Sequence, residues 1–338
     1  MSAHLAHAPA ASEHGVRDRR LFRELERPGL IVSNLTPNWF ASIMGTGIVA
    51  VAAASLPLQF PGLRTAATVV WAIAAVLLVA LTIATVLHWV RYRSTAAKHH
   101  LNPVISHFYG APPMAFLTVG AGTILLGKDW IGLPAAVTVD WVLWTIGTIG
   151  GLLTAVLVPY LAFTRHENTP ESAFGGWLMP IVPPMVSAST GALLLPYAPA
   201  GQARETLLWS CYGFFGLSLI TSLVVITLIW NRLAQHKVGA AGMVPTLWIV
   251  LGPVGQSITA VNLLASNAPA VVDASTAHAL LVVALVYGFA MLGFGACQMV
   301  CVSRTERNGK NHDHDRREEP RRALGPGPGR AAESLRAA

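Results

Sequence analysis

The chain has 338 residues, of which 53% are hydrophobic and only 12% charged, with a net charge of +7 and a mean hydropathy of +0.53. Soluble domains carry about twice that share of charge, so the composition excludes a soluble globular enzyme and identifies a polytopic membrane protein. The positive balance reads as loop bias and not as nucleic-acid binding, and Cys211, Cys297 and Cys301 have no disulfide or metal spacing and read as free thiols.

Residues 1–34 form a polar tail with Arg17, Arg19, Arg20, Arg23 and Arg27. No short apolar core with a cleavage site follows them, so the tail is expected to be cytoplasmic and not a signal peptide. From there the hydrophobic runs mark eight crossings, roughly 36–55, 65–90, 105–126, 138–163, 174–195, 206–231, 244–266 and 274–301. The first crossing opens on Pro37, which suits a first helical turn. Asn38, Ser42, Gly45 and Thr46 follow on one helical face, small and polar, which suits another helix or a wet cavity better than lipid. Arg91, Arg93 and Lys98 follow the second crossing, Arg165 the fourth, Arg232 and Lys237 the sixth, and Arg304, Arg307 and Lys310 the eighth. The opposite loops hold only Arg64, Lys128 and Arg204, so both termini are expected in the cytoplasm.

The prolines sort the crossings into two kinds. Pro37, then Pro112 and Pro113, then Pro180, Pro183 and Pro184, then Pro245 and Pro253 fall on the odd crossings, whereas the even ones carry only Pro159. A proline removes a backbone hydrogen bond and frees a carbonyl that must find protein or cavity water. The pattern predicts an all-α bundle of helical hairpins, with odd helices inside around a central pore and even helices outside. Gly252, Gly255, Gln256 and Thr259 add a polar stripe on the seventh crossing, and Ser187 and Gly191 continue the proline stripe of the fifth. Residues 302–338 are basic and then Gly/Pro-rich, and read as a disordered tail.

Several motifs carry no chemistry. Gly122 to Lys128 resembles a phosphate-binding loop, but Asp129 stands where a Ser or Thr should bind magnesium, and the run ends a membrane helix. Gly147 and Gly151 make a packing GxxxG. His88, His107 and His278 sit near helix ends as interfacial hydrogen-bonding groups, and His4, His7, His14, His312 and His314 lie in the tails. Asp140 and Glu205 read as helix-start carboxylates, leaving no charge deep in a crossing. No nucleophile–base pair or metal cluster has recognisable spacing, so neither an enzyme nor a cofactor is expected.

The chain resembles the tellurite-resistance/dicarboxylate transporter family, also called the voltage-dependent or slow anion channel family, and its malate/sulfite branch most. The resemblance rests on Thr36-Pro37-Asn38-Trp39-Phe40 with Met44-Gly45-Thr46-Gly47, on Tyr109 to Met114, on Pro180 to Ser189, on Leu251 to Gln256, and on Tyr287-Gly288-Phe289. It implies passage of small anions (C4-dicarboxylates, sulfite, chloride) through a channel-like pore in the cell membrane, usually in a homotrimer. It also implies five hairpins, with a phenylalanine on the ninth helix narrowing the pore. This chain has no ninth or tenth crossing, so residues 35–301 read as a transporter domain lacking its fifth hairpin. Three readings of the tail are open: an out-of-frame remnant of a longer ten-helix protein, which is favoured, a gap closed by a neighbouring subunit, or four hairpins that close more tightly around a narrower pore.

The path-lining residues are expected to be Asn38, Phe40, Ser42, Gly45, Thr46 and Gly47 of the first crossing, with Pro112 and Pro113 of the third. Pro183, Pro184 and Ser187 of the fifth, and Gly252, Pro253, Gln256 and Thr259 of the seventh, complete the set. The alternative is a non-transporting membrane scaffold or an inactive truncated member of the family.

Overall fold

The computed structural model of the protein describes residues 29–237 and 241–323, and all secondary structure among them is helical. Eight helices carry the architecture: α1 (Phe40–Ser55), α2 (Leu63–Arg91), α3 (Ala111–Gly122), α4 (Leu133–Thr164), α5 (Pro183–Leu194), α6 (Gln202–His236), α7 (Leu251–Asn267) and α8 (Ala274–Ala323). They pair in chain order as the hairpins α1/α2, α3/α4, α5/α6 and α7/α8. The first three hairpin turns end on a glycine with positive φ, namely Gly62 at 90°, Gly132 at 81° and Gly201 at 87°, a conformation that costs a residue with a Cβ far more. The fourth uses Asp273, whose Oδ1 accepts the backbone N–H groups of Ser275 and Thr276 at 3.0 Å. Hydrogen bonds to the carboxylate, led by the Thr276 hydroxyl, hold Asp273 well below the usual carboxylate range and cap α8.

Contacts at the two ends of the bundle establish the alternation. At the end carrying both ends of the described chain, the base, His88 Nδ1 at the close of α2 donates to Val32 O at 2.7 Å, and Glu171 meets His236 of α6 at 3.4 Å. At the opposite end, the rim, Arg64 at the start of α2 meets Asp129 at 2.6 Å and donates to Leu125 O at 2.9 Å. Leu125 lies in a π-helical turn, Thr123–Gly127, that follows α3. Such a turn loosens the regular ladder, and Arg64 supplies a donor where that happens.

Seven helices are long and apolar enough to cross a membrane by length and composition. The run at 174–195, counted as a crossing from the sequence, is built instead as a 3-10 turn at Gly175–Leu178, a break, and the 12-residue α5. Pro180, Pro183 and Pro184 remove three backbone donors there, so no continuous helical ladder can form. Every residue from Pro183 to Ala192 is nevertheless buried. The stretch expected to be disordered after 302 is helical as far as Ala323. It is rich in Arg, Glu and Lys, good helix formers that extend an existing helix cheaply. Residues 1–28 and 324–338, with the calls made on them, lie outside the described residues.

α3 and α5 are enclosed, while α2, α4, α6 and α8 turn Val76, Ile83, Val156, Ile220, Val286 and Phe289 outward as an apolar belt suited to lipid. The belt packs on the interior through glycine: a Cβ on Gly147 would lie 2.9 Å from Pro113 O, and one on Gly151 would lie 2.8 Å from Pro183 Cβ. The GxxxG of α4 therefore grips the proline turns of α3 and α5. Along the interior, α1 packs on α3, α3 on α5, and α5 on α7. No extensive packing joins α7 back to α1 among the described residues, so the inner helices form an open arc. This is why α1, expected inside, is as exposed as an outer helix.

Glycines that separate packed backbones and glycines that edge the opening make a test. A Cβ on Gly110 would lie 1.9 Å from the Met179 carbonyl oxygen, whereas one on Gly45 would meet nothing within 4 Å. Gly110→Ala is expected to destabilise the protein by about 1–3 kcal/mol, read as a lower melting temperature in detergent. Gly45→Ala is expected to leave the melting temperature unchanged.

Candidate functional site

The four inner helices all start at the base, and each start is made the same way. A 3-10 turn leads in, Pro37–Trp39, Ile105–Gly110, Gly175–Leu178 or Ala241–Val250, and proline lies in or beside the first helical turn. Pro112 and Pro113 open α3, Pro183 and Pro184 open α5, and Pro253 is the third residue of α7. Proline needs no acceptor there, and its fixed φ suits the turn. The first-turn N–H groups that remain are bonded back into the lead-in turns: Phe40 donates to Pro37 O, Ala111 to Phe108 O, and Met185 and Val186 to Val182 O. The aligned peptide dipoles of each helix still direct its positive end, up to roughly half an elementary charge, toward the base. None of the four helices has an acidic residue in its first turn to cancel that charge.

The expected path residues divide into two groups. On the helices that edge the opening of the arc, Asn38, Ser42, Gly252 and Thr259 are exposed, and Gly45, Thr46 and Gln256 are half-buried. Their polar groups have local partners. Asn38 accepts from the Thr36 hydroxyl, Ser42 donates to Trp39 O at 2.7 Å, and Thr259 donates to Gly255 O at 3.1 Å. A Cβ on Gly252 or Gly255 would meet nothing within 4 Å, so neither glycine serves packing within the chain. Gln256 donates to Ser189 Oγ across the α5–α7 contact. Ser189 was not singled out in the sequence, because its role depends on a partner 67 residues away.

The remaining candidates lie in the wall behind this face. Phe40 is buried in the apolar cluster that holds Met114 and Leu178. Gly47 sits against Thr118, with a Cβ position 2.8 Å from the hydroxyl oxygen. Pro112 is half-buried, while Pro113, Pro183, Pro184 and Pro253 are buried. Ser187 is fully buried, and its hydroxyl has no partner among the described residues.

Two charged side chains lie inside crossings where none was expected. Asp140, read as a helix-start carboxylate, is the eighth residue of α4, 0% exposed and without a hydrogen-bond partner among the described residues. It sits over Gly120, where a Cβ would fall 2.2 Å from Oδ1. Arg232, assigned to a loop, lies within α6 and is 8% exposed. Both were missed because α4 and α6 run longer than their hydrophobic stretches.

A histidine cluster belts the base. His88 stacks on His99 with centroids 5.3 Å apart and ring planes 8° from parallel, and His107 stacks on Trp177 at 5.9 Å. His107 Nδ1 donates to Pro103 O at 2.7 Å, and His166 Nε2 lies 3.1 Å from His100 O. Burial, then the neighbouring His88 and His100, lowers the pKa of His99 from 6.5. No group of three or more His, Cys, Asp or Glu side chains has metal-binding geometry among the described residues.

A family model described as voltage-dependent anion channel matches residues 34–310. An uncharacterised transporter of Methanocaldococcus jannaschii is 29% identical over 239 residues, 71% of this chain and 67% of its own. A sulfite efflux pump of Arthroderma otae is 26% identical over 231 residues, 67% of this chain and 60% of its own. A malic acid transport protein of Schizosaccharomyces pombe is 25% identical over 234 residues, 66% of this chain and 50% of its own. The chain thus spans between half and two thirds of the length of these relatives.

Two measurements check the site. In a background without Cys211, Cys297 and Cys301, cysteine at Ser42 or Thr259 is expected to react with a water-soluble thiol reagent. Cysteine at the buried Ser187 or the outward-facing Val224 is expected to stay unlabelled. The depressed His99 pKa means the folded state resists a proton that the unfolded state accepts. That stabilisation is complete above the unfolded value of about 6.5 and is lost as pH falls through the lower folded value. The melting temperature is therefore expected to fall between about pH 7.5 and about pH 5.5, and His99→Asn to flatten that fall.

Proposed function

The chain belongs to the voltage-dependent anion channel family, and from that premise we propose that it carries small anions across a membrane along the polar face edged by α1 and α7. One observation carries the reading: four inner helices start at the same end of the bundle with no acidic residue in their first turns. An anion arriving there meets the positive ends of several aligned helix dipoles in a medium of low dielectric, where each is worth more than in water. Beyond the entrance, hydroxyls, glycines and an amide line the way without a fixed acidic charge on that face, a setting that suits a partly dehydrated anion. Sulfite and C4-dicarboxylates such as malate are the favoured cargo, following the names of the matched relatives, with chloride as a smaller competitor.

The base is assigned to the cytoplasm by the excess of Lys and Arg in its loops, and the cell membrane is the favoured location. A homotrimer with one path per subunit follows from the family resemblance. Purified protein in liposomes is expected to pass labelled sulfite, malate or chloride down a gradient at rates well above empty liposomes, and to leave a large cation such as choline behind. Folded protein that passes none of the three anions would instead mark a scaffold.

A further inference from the structure

We infer that Arg232 receives the transported anion at the base of the bundle, supplying the fixed positive charge of the entrance; this rests on the reading of the chain as an anion transporter. Arg232 is four residues from the end of α6 and is 8% exposed. Its Nε is buried and has no hydrogen-bond partner among the described residues. The ion pairs described in this structure, Arg64–Asp129 and Glu171–His236, involve other residues. A guanidinium cannot shed its charge as a buried Lys or His can, because its pKa lies above about 12. Inside a membrane protein such a charge is paired or it marks a path for ions.

The surroundings favour a mobile oxyanion as the partner. Ile229 and Leu233 bring α6 into the apolar cluster that holds Leu178, Leu247 and Val302. These neighbours keep the local dielectric low and offer no charge of their own. Along its length α6 also packs on Gly175–Leu178 and on α7, the lead-in to one inner helix and the body of another. Ser222 lies on the same buried stripe of α6, and its hydroxyl also lacks a partner among the described residues. The planar fork of an arginine matches the paired oxygens of sulfite or of a carboxylate, a match that lysine or a helix end alone does not provide. Arg232 would thus select oxyanions over chloride at the entrance, and the helix ends would supply the general attraction.

The test uses the full chain in detergent, with melting temperature read in sodium sulfite or sodium malate against sodium chloride at equal sodium concentration. Sulfite and malate are expected to raise the melting temperature of the wild type. Arg232→Met is expected to abolish that rise. It is also expected to melt higher than the wild type in chloride, since an apolar side chain replaces a charged group whose Nε is buried without a partner among the described residues. In liposomes Arg232→Met should raise the KM for sulfite on the order of tenfold, with chloride flux changed less and Arg232→Lys intermediate. An unchanged sulfite response in Arg232→Met overturns the inference, as does a melting temperature in chloride below that of the wild type, which would reveal a structural partner. Stabilisation by added phosphatidylglycerol and not by sulfite or malate would assign the charge to a lipid headgroup and equally overturn it. Absence of flux in the wild type, with the sulfite-dependent rise intact and lost in Arg232→Met, would defeat the transport reading and leave Arg232 as an oxyanion site.

Discussion

A backbone polar group facing hydrocarbon has no water to bond, and the whole arrangement answers to that constraint. Prolines at the starts of the inner helices break the regular ladder, so those segments must be enclosed. α5 is the clearest case. It is too short to span a membrane, it follows a 3-10 turn and a break, and it is buried along almost its whole length. Around it, α4 and α6 run for 32 and 35 residues, and α8 for 50, with apolar outward faces. Enclosure requires close approach, and the small residues supply it. Gly147 and Gly151 let α4 reach the proline turns of α3 and α5, and Gly175 lies against the backbone at Thr246.

The same breaks produce the chemistry. A helix that begins inside the bundle brings the positive end of its dipole there as well. Repeating that start on four helices concentrates partial positive charge at the base in addition to any ionisable side chain. Fixed charge in hydrocarbon is costly, whereas dipoles already paid into the fold add attraction for anions at little further expense. The open side of the arc also sets which polar residues are covered within the chain: Ser42 and Thr259 lie on exposed faces, while Ser187, of similar chemistry, is buried.

Charged side chains within the crossings appear where helices outrun their hydrophobic stretches. α6 continues to His236, which draws Arg232 inside the bundle, and α4 begins at Leu133, which places Asp140 over Gly120. Near the surface neither residue would need explanation. Under cover, both carboxylate oxygens of Asp140 and Nε of Arg232 have no hydrogen-bond partner among the described residues. In the histidine belt at the base, His88 Nδ1 and His107 Nδ1 each donate to a backbone carbonyl and each ring stacks on a neighbour, while His88 Nε2 is buried without a hydrogen-bond partner among the described residues.

Membrane class, helical hairpins and the inner character of α3 and α5 could be read from the sequence, because hydrophobic length and proline position act locally. Proline restricts its own turn whatever surrounds it, and a run of about twenty apolar residues suits a bilayer in any fold. The motif positions on α1 and α7 were legible for the same reason, since helical spacing alone puts Asn38, Ser42 and Thr46 on one face. Only the tertiary structure decided which faces are covered. Phe40, Gly47, Pro113 and Ser187 belong to the wall, and Gln256 is matched to Ser189 on another helix. Helix ends also escaped the sequence reading, since hydrophobicity fades before hydrogen bonding does, and with them the burial of Arg232 and Asp140. Burial is a property of what packs against a residue from elsewhere in the chain, and no local pattern of residue types encodes it.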